Sequence, residues 1–371
     1  MLRKVGRQPA ELESLSLFAQ LKLPVGAGAT IRDPAIAQTF LNQVTEGLRE
    51  SLANPARLHG WRVQAMFEAM MVGLGSVRLI KTEDAGDCYF DDAVGEVKLP
   101  DYRLVRADGE RLLVEVKNVS PGQERKPQRI NARDLEGMQR YAELTGARLV
   151  LAHYWAAPML WTVVDSGVLA ADKDALMLPI DRAMLANELE ALGDAMIGTR
   201  PPLVLSLVAD ASKPREVRDT PGGTEQEARF TLGAVELSAA GRLLTDDVEQ
   251  RIAWFLMQFG DWSTHRELRV TDDGLLERVE IVVEPAEPVP GQDIEMIGYL
   301  SSMYSALFTA ATMTKQGEVT RLRHEPEPGM LAELIPSDYW SQPARALPLW
   351  RFHTKPSIGP AAQPSTDTQS A

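Results

Sequence analysis

The sequence predicts an α/β chain in which a mixed sheet is flanked by helices, followed by a second α+β domain. Helical patterns near 34–52, 60–74 and 132–145 alternate with short apolar runs that are typical of strands. Two of these runs flank Asp108-Gly109, which is a strong hairpin signal. The length of 371 residues suits about two domains of roughly 100–200 residues each.

The first elements follow from local signals. Residues 1–34 are expected to form an irregular or partly helical lead-in. Asp33-Pro34 suits an N-cap followed by proline at the first helical position. The second helix is expected to end near Gly73 and Gly75. Strands of the first half are predicted at 76–80, 102–105, 111–117, 148–154 and 160–164.

A long helical pattern at 181–196 is expected to close a first domain spanning 35–200, with Arg200-Pro201-Pro202 as the boundary. A second domain would span 201–345. In it we predict strands at 203–208, 228–237, 266–270 and 275–283, and helices at 245–259 and 293–311. Residues 346–371 are rich in Pro, Ser, Thr and Gln, which predicts a flexible tail.

Composition excludes several classes of protein. The single cysteine, Cys88, rules out a disulfide within the chain and a multi-cysteine zinc site. This favours a reducing, cytoplasmic setting. The N-terminus lacks a signal-peptide pattern, and no run of about 18 apolar residues predicts a membrane span.

The charge is unevenly distributed. The net charge is −13, which argues against a protein that coats nucleic acid through bulk positive charge. Residues 1–200 hold 24 basic and 27 acidic residues, whereas residues 201–371 hold 15 and 25. The acidic second half is a candidate surface for a protein partner or for a homodimer.

A charged pair follows an apolar strand. In the run 112–117, Glu115 and Lys117 share one face because alternate side chains of a strand point the same way. The alternating partners, such as Val114, would then face the core. The alternative interpretation is an ordinary ion pair on a surface strand.

Asp101 precedes the other strand of the hairpin. A three-residue loop at 107–109 would set Asp101 opposite Glu115, with the two Cβ atoms roughly 5 Å apart. A two-residue loop would set Asp101 opposite Val116, on the wrong face. The alternative is that Asp101 is a turn residue after Pro100.

The helix around Glu68 is apolar almost all round and should be largely buried. Glu68 interrupts that pattern, and Gln64 lies one turn earlier on the same side. A buried carboxylate needs a partner, and a divalent cation would provide one. The alternative is a glutamate that reaches solvent or pairs with a basic side chain.

Glu68, Pro100-Asp101 and Glu115-Val116-Lys117 together resemble the PD-(D/E)XK nuclease superfamily. The resemblance covers residues from about 35 to 170. It implies a restriction-endonuclease-like fold, and Mg²⁺ or Mn²⁺ bound by Asp101, Glu115 and the Val116 carbonyl. Lys117 would match the catalytic lysine, and Glu68 the helical glutamate near the metal. The catalytic residues are then Glu68, Asp101, Glu115 and Lys117.

Substrate contacts are expected after the catalytic strand. We predict phosphate contacts from a basic segment and from the next helix, with solvated loop or ordinary helix positions as the alternative. His153 is expected to be structural. The predicted substrate-binding residues are Arg125, Lys126, Arg129, Arg133, Gln139 and Tyr141.

The leading hypothesis is therefore a Mg²⁺-dependent hydrolase of phosphodiester bonds, a DNA endonuclease rather than an RNase, acting in restriction, phage defence or repair. An alternative of another class is a non-cleaving nucleic-acid-binding or assembly protein that keeps the fold. A third is a hydrolase of small phosphates, which a narrow pocket would favour.

Overall fold

The computed structural model describes residues 2–4, 10–21, 23, 30–83, 88–172, 175–219, 226–288, 291, 293–341 and 344–353. The helices are α1 (Ala10–Gln20), α2 (Pro34–Leu52), α3 (Pro55–Leu74), α4 (Ala132–Thr145), α5 (Ile180–Leu185), α6 (Asp247–Phe259), α7 (Leu300–Thr312) and α8 (Met330–Leu334).

The strands lie between these helices, mostly in runs of several strands. They are β1 (Val77–Thr82), β2 (Tyr102–Arg106), β3 (Arg111–Val119), β4 (Gln128–Asn131), β5 (Arg148–Trp155), β6 (Leu160–Asp165), β7 (Ala170–Asp172), β8 (Ala175–Leu178), β9 (Met196–Thr199), β10 (Leu203–Ala209), β11 (Glu216–Asp219), β12 (Gln226–Arg229), β13 (Leu232–Ala239), β14 (Arg242–Leu243), β15 (Ser263–Val270), β16 (Leu276–Glu284), β17 (Glu295–Tyr299) and β18 (Leu349–Phe352).

The first half is built on a five-stranded mixed sheet in the order β1-β2-β3-β5-β6. β3 and β5 are parallel, and the other neighbours are antiparallel. α4 connects the two parallel strands, since a parallel pair needs a crossover. The predicted mixed sheet flanked by helices is confirmed.

One face of this sheet is covered by α3. The helix starts at Pro55 rather than near residue 60, because the Asn54 side chain accepts a hydrogen bond from Arg57 N and caps it. It ends at Gly75 in the left-handed conformation, with φ of 71°. Most of α3 is buried, as predicted, and it packs against Val114 and Val116 of β3.

The other face is covered by α4, whose bounds match the prediction. Asn131 caps its N-terminus and Gly146 ends it in the left-handed conformation. Met138 packs with Leu113 and Leu151 in a second apolar cluster on this face. The sheet is therefore buried on both faces, so only the strand ends can hold an accessible polar site.

The second half contains an antiparallel sheet in the order β14-β13-β10-β16-β15. The predicted helix 181–196 is wrong. α5 ends at Leu185, the Asn187 side chain accepts a hydrogen bond from Val163 N at 2.8 Å, and Gly193 has a φ of 99°. The chain then forms β9, so tertiary pairing overrides the local periodicity.

The predicted helix 293–311 is correct only in its second part. Residues 295–299 form β17, which pairs with β9, and Gly298 has a φ of 118° that a helix does not allow. α7 begins only at Leu300. β9 also pairs with β18 at residues 349–352, which lie in the predicted tail; the remainder from 354 lies outside the described residues.

One apolar cluster joins the two halves. It contains Phe67 of α3, Trp161 of β6 and Tyr304 of α7. Trp161 Nε1 donates to Ser305 Oγ of α7 at 2.9 Å. The predicted division near residue 200 stays a prediction. Among the described residues, no helix is long and apolar enough to span a membrane.

Candidate active site

The hairpin between β2 and β3 sets the register of the site. Tyr102 pairs with Val114, and Val105 with Arg111. Residues 107–109 form the loop, closed by a hydrogen bond from Gly109 N to the Arg106 carbonyl at 3.0 Å. The three-residue loop is therefore confirmed, and the register continued by one residue sets Asp101 opposite Glu115.

Asp101 is held at the end of β2 by two donors. It is 8% exposed. Its Oδ1 accepts from Gln64 Nε2 of α3 at 2.6 Å, and its Oδ2 accepts from Val116 N at 2.7 Å. These bonds fix the carboxylate between the helix and the next strand. Asp101 is therefore more than a turn residue.

The bond to Val116 N also orients the Val116 carbonyl. In a strand, the N–H and C=O of one residue point to the same neighbour. β2 begins at Tyr102, so it offers no strand partner at this level. The Val116 carbonyl thus points toward Asp101.

Glu115 and Lys117 lie on one face, as the alternation predicts. Lys117 Nζ is 2.5 Å from Glu115 Oε1. The Glu115 side chain is buried, whereas the Lys117 side chain is 43% exposed. The ammonium group therefore compensates a buried carboxylate and still reaches solvent.

Glu68 is not part of this group. Its carboxylate lies 3.8 Å from Arg323 Nη2, and a third of its side chain is exposed. In the described part of the chain, no three histidine, cysteine, aspartate or glutamate side chains converge closely enough to hold a metal ion. Glu68 thus does not complete a three-carboxylate set with Asp101 and Glu115.

A further buried carboxylate was missed by the sequence analysis. Glu83 N donates to the Asp101 carbonyl at 2.8 Å, which extends the β1–β2 pairing beyond Thr82 and Tyr102. Opposing residues of antiparallel strands share a face. By register, Glu83, Asp101 and Glu115, which we call the carboxylate row, occupy opposing positions on three neighbouring chain segments, and the Asp101 carboxylate is turned toward Gln64 of α3. The predicted strand ended at residue 80. Extending it to residue 83 would have placed Glu83 beside Asp101.

The carboxylate row carries a formal charge of −3, and two cations touch it. Lys117 contacts Glu115, and Arg103 Nη2 lies 2.5 Å from Glu83 Oε1. All three carboxylates are less than a tenth exposed. Buried carboxylates in adjacent positions favour the binding of a cation between them.

Tyr141 was predicted to contact phosphate, but its hydroxyl donates to Glu83 Oε1. Burial, then the hydrogen bond to Glu83, raises the pKa of Tyr141 to about 12. The phenol is therefore protonated at neutral pH and acts as a donor toward the carboxylate row.

His153 lies beside Lys117, because the two residues pair in the parallel β3–β5 ladder. It is fully buried, and in the described part of the chain neither ring nitrogen has a hydrogen-bond partner. Burial, with the charge of Lys117 as a second cause, lowers the pKa of His153 to about 3. The imidazole is therefore neutral near pH 7.

The predicted substrate-binding residues follow β3 in the chain and differ in their exposure and partners. Arg125, Lys126 and Arg129 are exposed. Arg133 forms an ion pair with Glu96 at 2.5 Å, and Gln139 Nε2 is 3.4 Å from Ser166 Oγ. The first three keep the exposure that a phosphate contact requires, and Arg133 would have to exchange its partner.

Comparison with known proteins gives little similarity. No family model matches the chain, and no curated protein matches it. A solved structure of a Holliday junction resolvase, Hjc of the archaeal hyperthermophile Archaeoglobus fulgidus, is similar over 36% of this chain and 96% of the resolvase chain. The identity is 17% and the TM-score is 0.29.

Proposed function

We propose that this chain is a metal-dependent nuclease that hydrolyses phosphodiester bonds, with Asp101, Glu115 and Lys117 at its catalytic centre. One observation carries the proposal. Two buried carboxylates lie opposite each other across a hairpin, and a lysine ammonium group is 2.5 Å from one of them. Hard oxygen donors next to a mobile cation suit phosphoryl chemistry.

The residues fit Mg²⁺ or Mn²⁺. Asp101, Glu115 and the Val116 carbonyl would hold the ion, and substrate phosphate and water would complete the ligands, as is usual for Mg²⁺. A carboxylate has about four lone-pair sites, so Asp101 can bind a cation while it keeps its bonds to Gln64 and Val116.

The side chains have distinct roles in this proposal. When bound, the ion supplies Lewis acidity and positive charge at the phosphate. Lys117 orients the water that attacks phosphorus and stabilises the negative charge that develops there. Gln64 keeps Asp101 in place. Water adds across one P–O bond, which leaves one phosphate end and one hydroxyl end.

The substrate we propose is DNA, cut internally, with a role in restriction, phage defence or repair. This part rests on the motif formed by Asp101, Glu115 and Lys117. The exposed cations Arg125, Lys126 and Arg129 follow the site strand and would contact phosphates. Because a duplex has two strands to cut, we propose a homodimer or a protein partner bound through the acidic second half.

Cleavage assays on the purified chain test the proposal. Plasmid, linear duplex, single-stranded DNA and RNA would be incubated with Mg²⁺, Mn²⁺ or EDTA. We expect metal-dependent cleavage of DNA, and at least about a 100-fold loss of rate in Lys117→Ala, the scale of one lost transition-state contact. Lys213→Ala, an exposed lysine of the second half, is the matched control and should cleave normally.

Two outcomes would contradict the proposal. If the wild type binds nucleic acid but cuts none of these substrates with either metal, the chain is a binding or assembly protein. If Lys117→Ala cuts as fast as Lys213→Ala, the catalytic centre lies elsewhere.

A further inference from the structure

Arg103 occupies an unassigned position next to the catalytic centre. It follows Asp101 by two residues, so the two Cα atoms are at most about 6.6–6.8 Å apart along the chain, and its side chain lies on the face covered by α4, where it contacts Glu83 and Tyr141. Its guanidinium contacts Glu83 on the neighbouring strand, and about a third of its side chain is exposed. Arg103 is therefore tethered at the site without being enclosed in it.

The tether uses only part of the guanidinium. Within the described residues, its hydrogen bonds to Glu83 and to Tyr141 both come from Nη2, at 2.5 and 3.5 Å. Arginine has five N–H donors in a planar fork, and structural pairs with carboxylates are frequently bidentate. A single-nitrogen contact leaves the other terminal nitrogen for an anion.

Glu83 and Tyr141 fix the direction of this group. The Tyr141 hydroxyl donates to the same Glu83 oxygen that binds Arg103. The carboxylate is thus held from α4 and from β2 together. Rotation of Arg103 away from the site would break its bond to a buried charge, which is costly.

We propose that Arg103 is a substrate-contacting residue that binds a backbone phosphate beside the one that is cleaved, and that Glu83 and Tyr141 are its positioning residues. The inference rests on the proposed nuclease function and adds a phosphate subsite to it. A planar guanidinium suits this role because it matches the geometry of phosphate oxygens.

The salt dependence of DNA binding tests this role. Binding of a labelled duplex would be measured in EDTA over a range of KCl concentrations. Loss of one phosphate contact lowers the slope of log K against log salt by about 0.9. We expect Arg103→Gln to lower the slope by about that amount and to weaken binding about tenfold at low salt.

Three further variants sharpen the test. Arg106→Ala is the matched control, because Arg106 lies on the same strand but pairs with Asp108 and Glu110 at the hairpin end; its slope should equal that of the wild type. Arg103→Lys should restore the slope but not the full affinity. Glu83→Gln should keep the slope and lower the affinity, because the charge stays and its direction is lost.

The results separate this inference from the function beneath it. A wild-type slope and affinity in Arg103→Gln, with DNA bound and cut normally, would overturn the phosphate subsite alone. Should Arg103→Gln fail to fold, full wild-type affinity in Arg103→Lys would overturn it. A wild type that binds no nucleic acid would overturn the nuclease proposal and the subsite with it.

Discussion

Glu115→Gln is expected to make the metal-free protein more stable while it abolishes cleavage. The register sets Glu115 opposite Asp101, and both are buried. Opposing side chains in an antiparallel pair have Cβ atoms about 4.5–5.5 Å apart. A carboxylate kept next to another carboxylate for metal binding should repel it when the metal is removed.

The magnitude follows from the geometry. If the two carboxylates lie as far apart as their Cβ atoms, about 5 Å, they repel by about 3 kcal/mol at an effective dielectric constant of about 20. The substitution also removes the ion pair with Lys117, whose side chain is 43% exposed. An ion pair with this much exposure to solvent contributes at most about 1 kcal/mol to stability. The free energy of unfolding should therefore rise by about 2 kcal/mol in EDTA.

Urea denaturation followed by circular dichroism, in EDTA and in Mg²⁺, measures this difference. At a Mg²⁺ concentration of about 100 times its Kd, the wild type should gain about 2.7 kcal/mol, whereas Glu115→Gln should gain far less. Glu188→Gln is the control, because Glu188 forms a two-pronged ion pair with Arg148 and should lose stability equally in both buffers. Destabilisation of Glu115→Gln in EDTA would refute the reasoning and identify an ordinary structural ion pair.

Two further predictions concern stability. The pKa of His153 is lowered to about 3, so the folded state binds this proton more weakly than the unfolded chain does. Its contribution is full above pH 6.5 and is lost as the pH falls, by about 2 kcal/mol at pH 5. His153→Phe should remove this part of the decline in urea curves between pH 7 and pH 5, and an unchanged decline would contradict the assignment. In α3, a Cβ on Gly73 would lie 2.7 Å from Tyr304 Cε2, whereas a Cβ on Gly60 would meet nothing within 4 Å. Gly73→Ala should therefore lower the free energy of unfolding by about 1–3 kcal/mol, and Gly60→Ala should raise it by up to about 1 kcal/mol. Equal urea midpoints for the two variants would show that Tyr304 does not pack closely against α3 at Gly73.

The helices and the hairpin that were predicted from signals close in sequence match the structure. α2 and α4 match their predicted bounds because Pro34 and Asn131 start them and Gly146 ends the second. The hairpin follows from Asp108-Gly109, and the common face of Glu115 and Lys117 follows from strand alternation. These signals act over a few residues, so the sequence alone contains them.

The errors concern contacts between distant segments. The helix predicted at 181–196 is broken because β9 pairs with β17 and β18 from the far end of the chain. Glu68 was predicted near the metal, and this role stays a prediction; its carboxylate lies 3.8 Å from Arg323 Nη2, which corresponds to the alternative of a glutamate paired with a basic residue. Periodicity and local motif contain no information about such partners.

The sequence by itself determined the mixed sheet, its two covering helices and the acid–lysine motif at the end of a hairpin. Only the tertiary structure decided that Gln64 donates a hydrogen bond to Asp101 and that Glu83 extends the carboxylate row. It also decided that the Tyr141 hydroxyl donates to Glu83. The physical reason is that alternation and capping depend on the geometry of one backbone segment. The partner of a buried charge depends instead on which segments the fold brings within hydrogen-bonding distance.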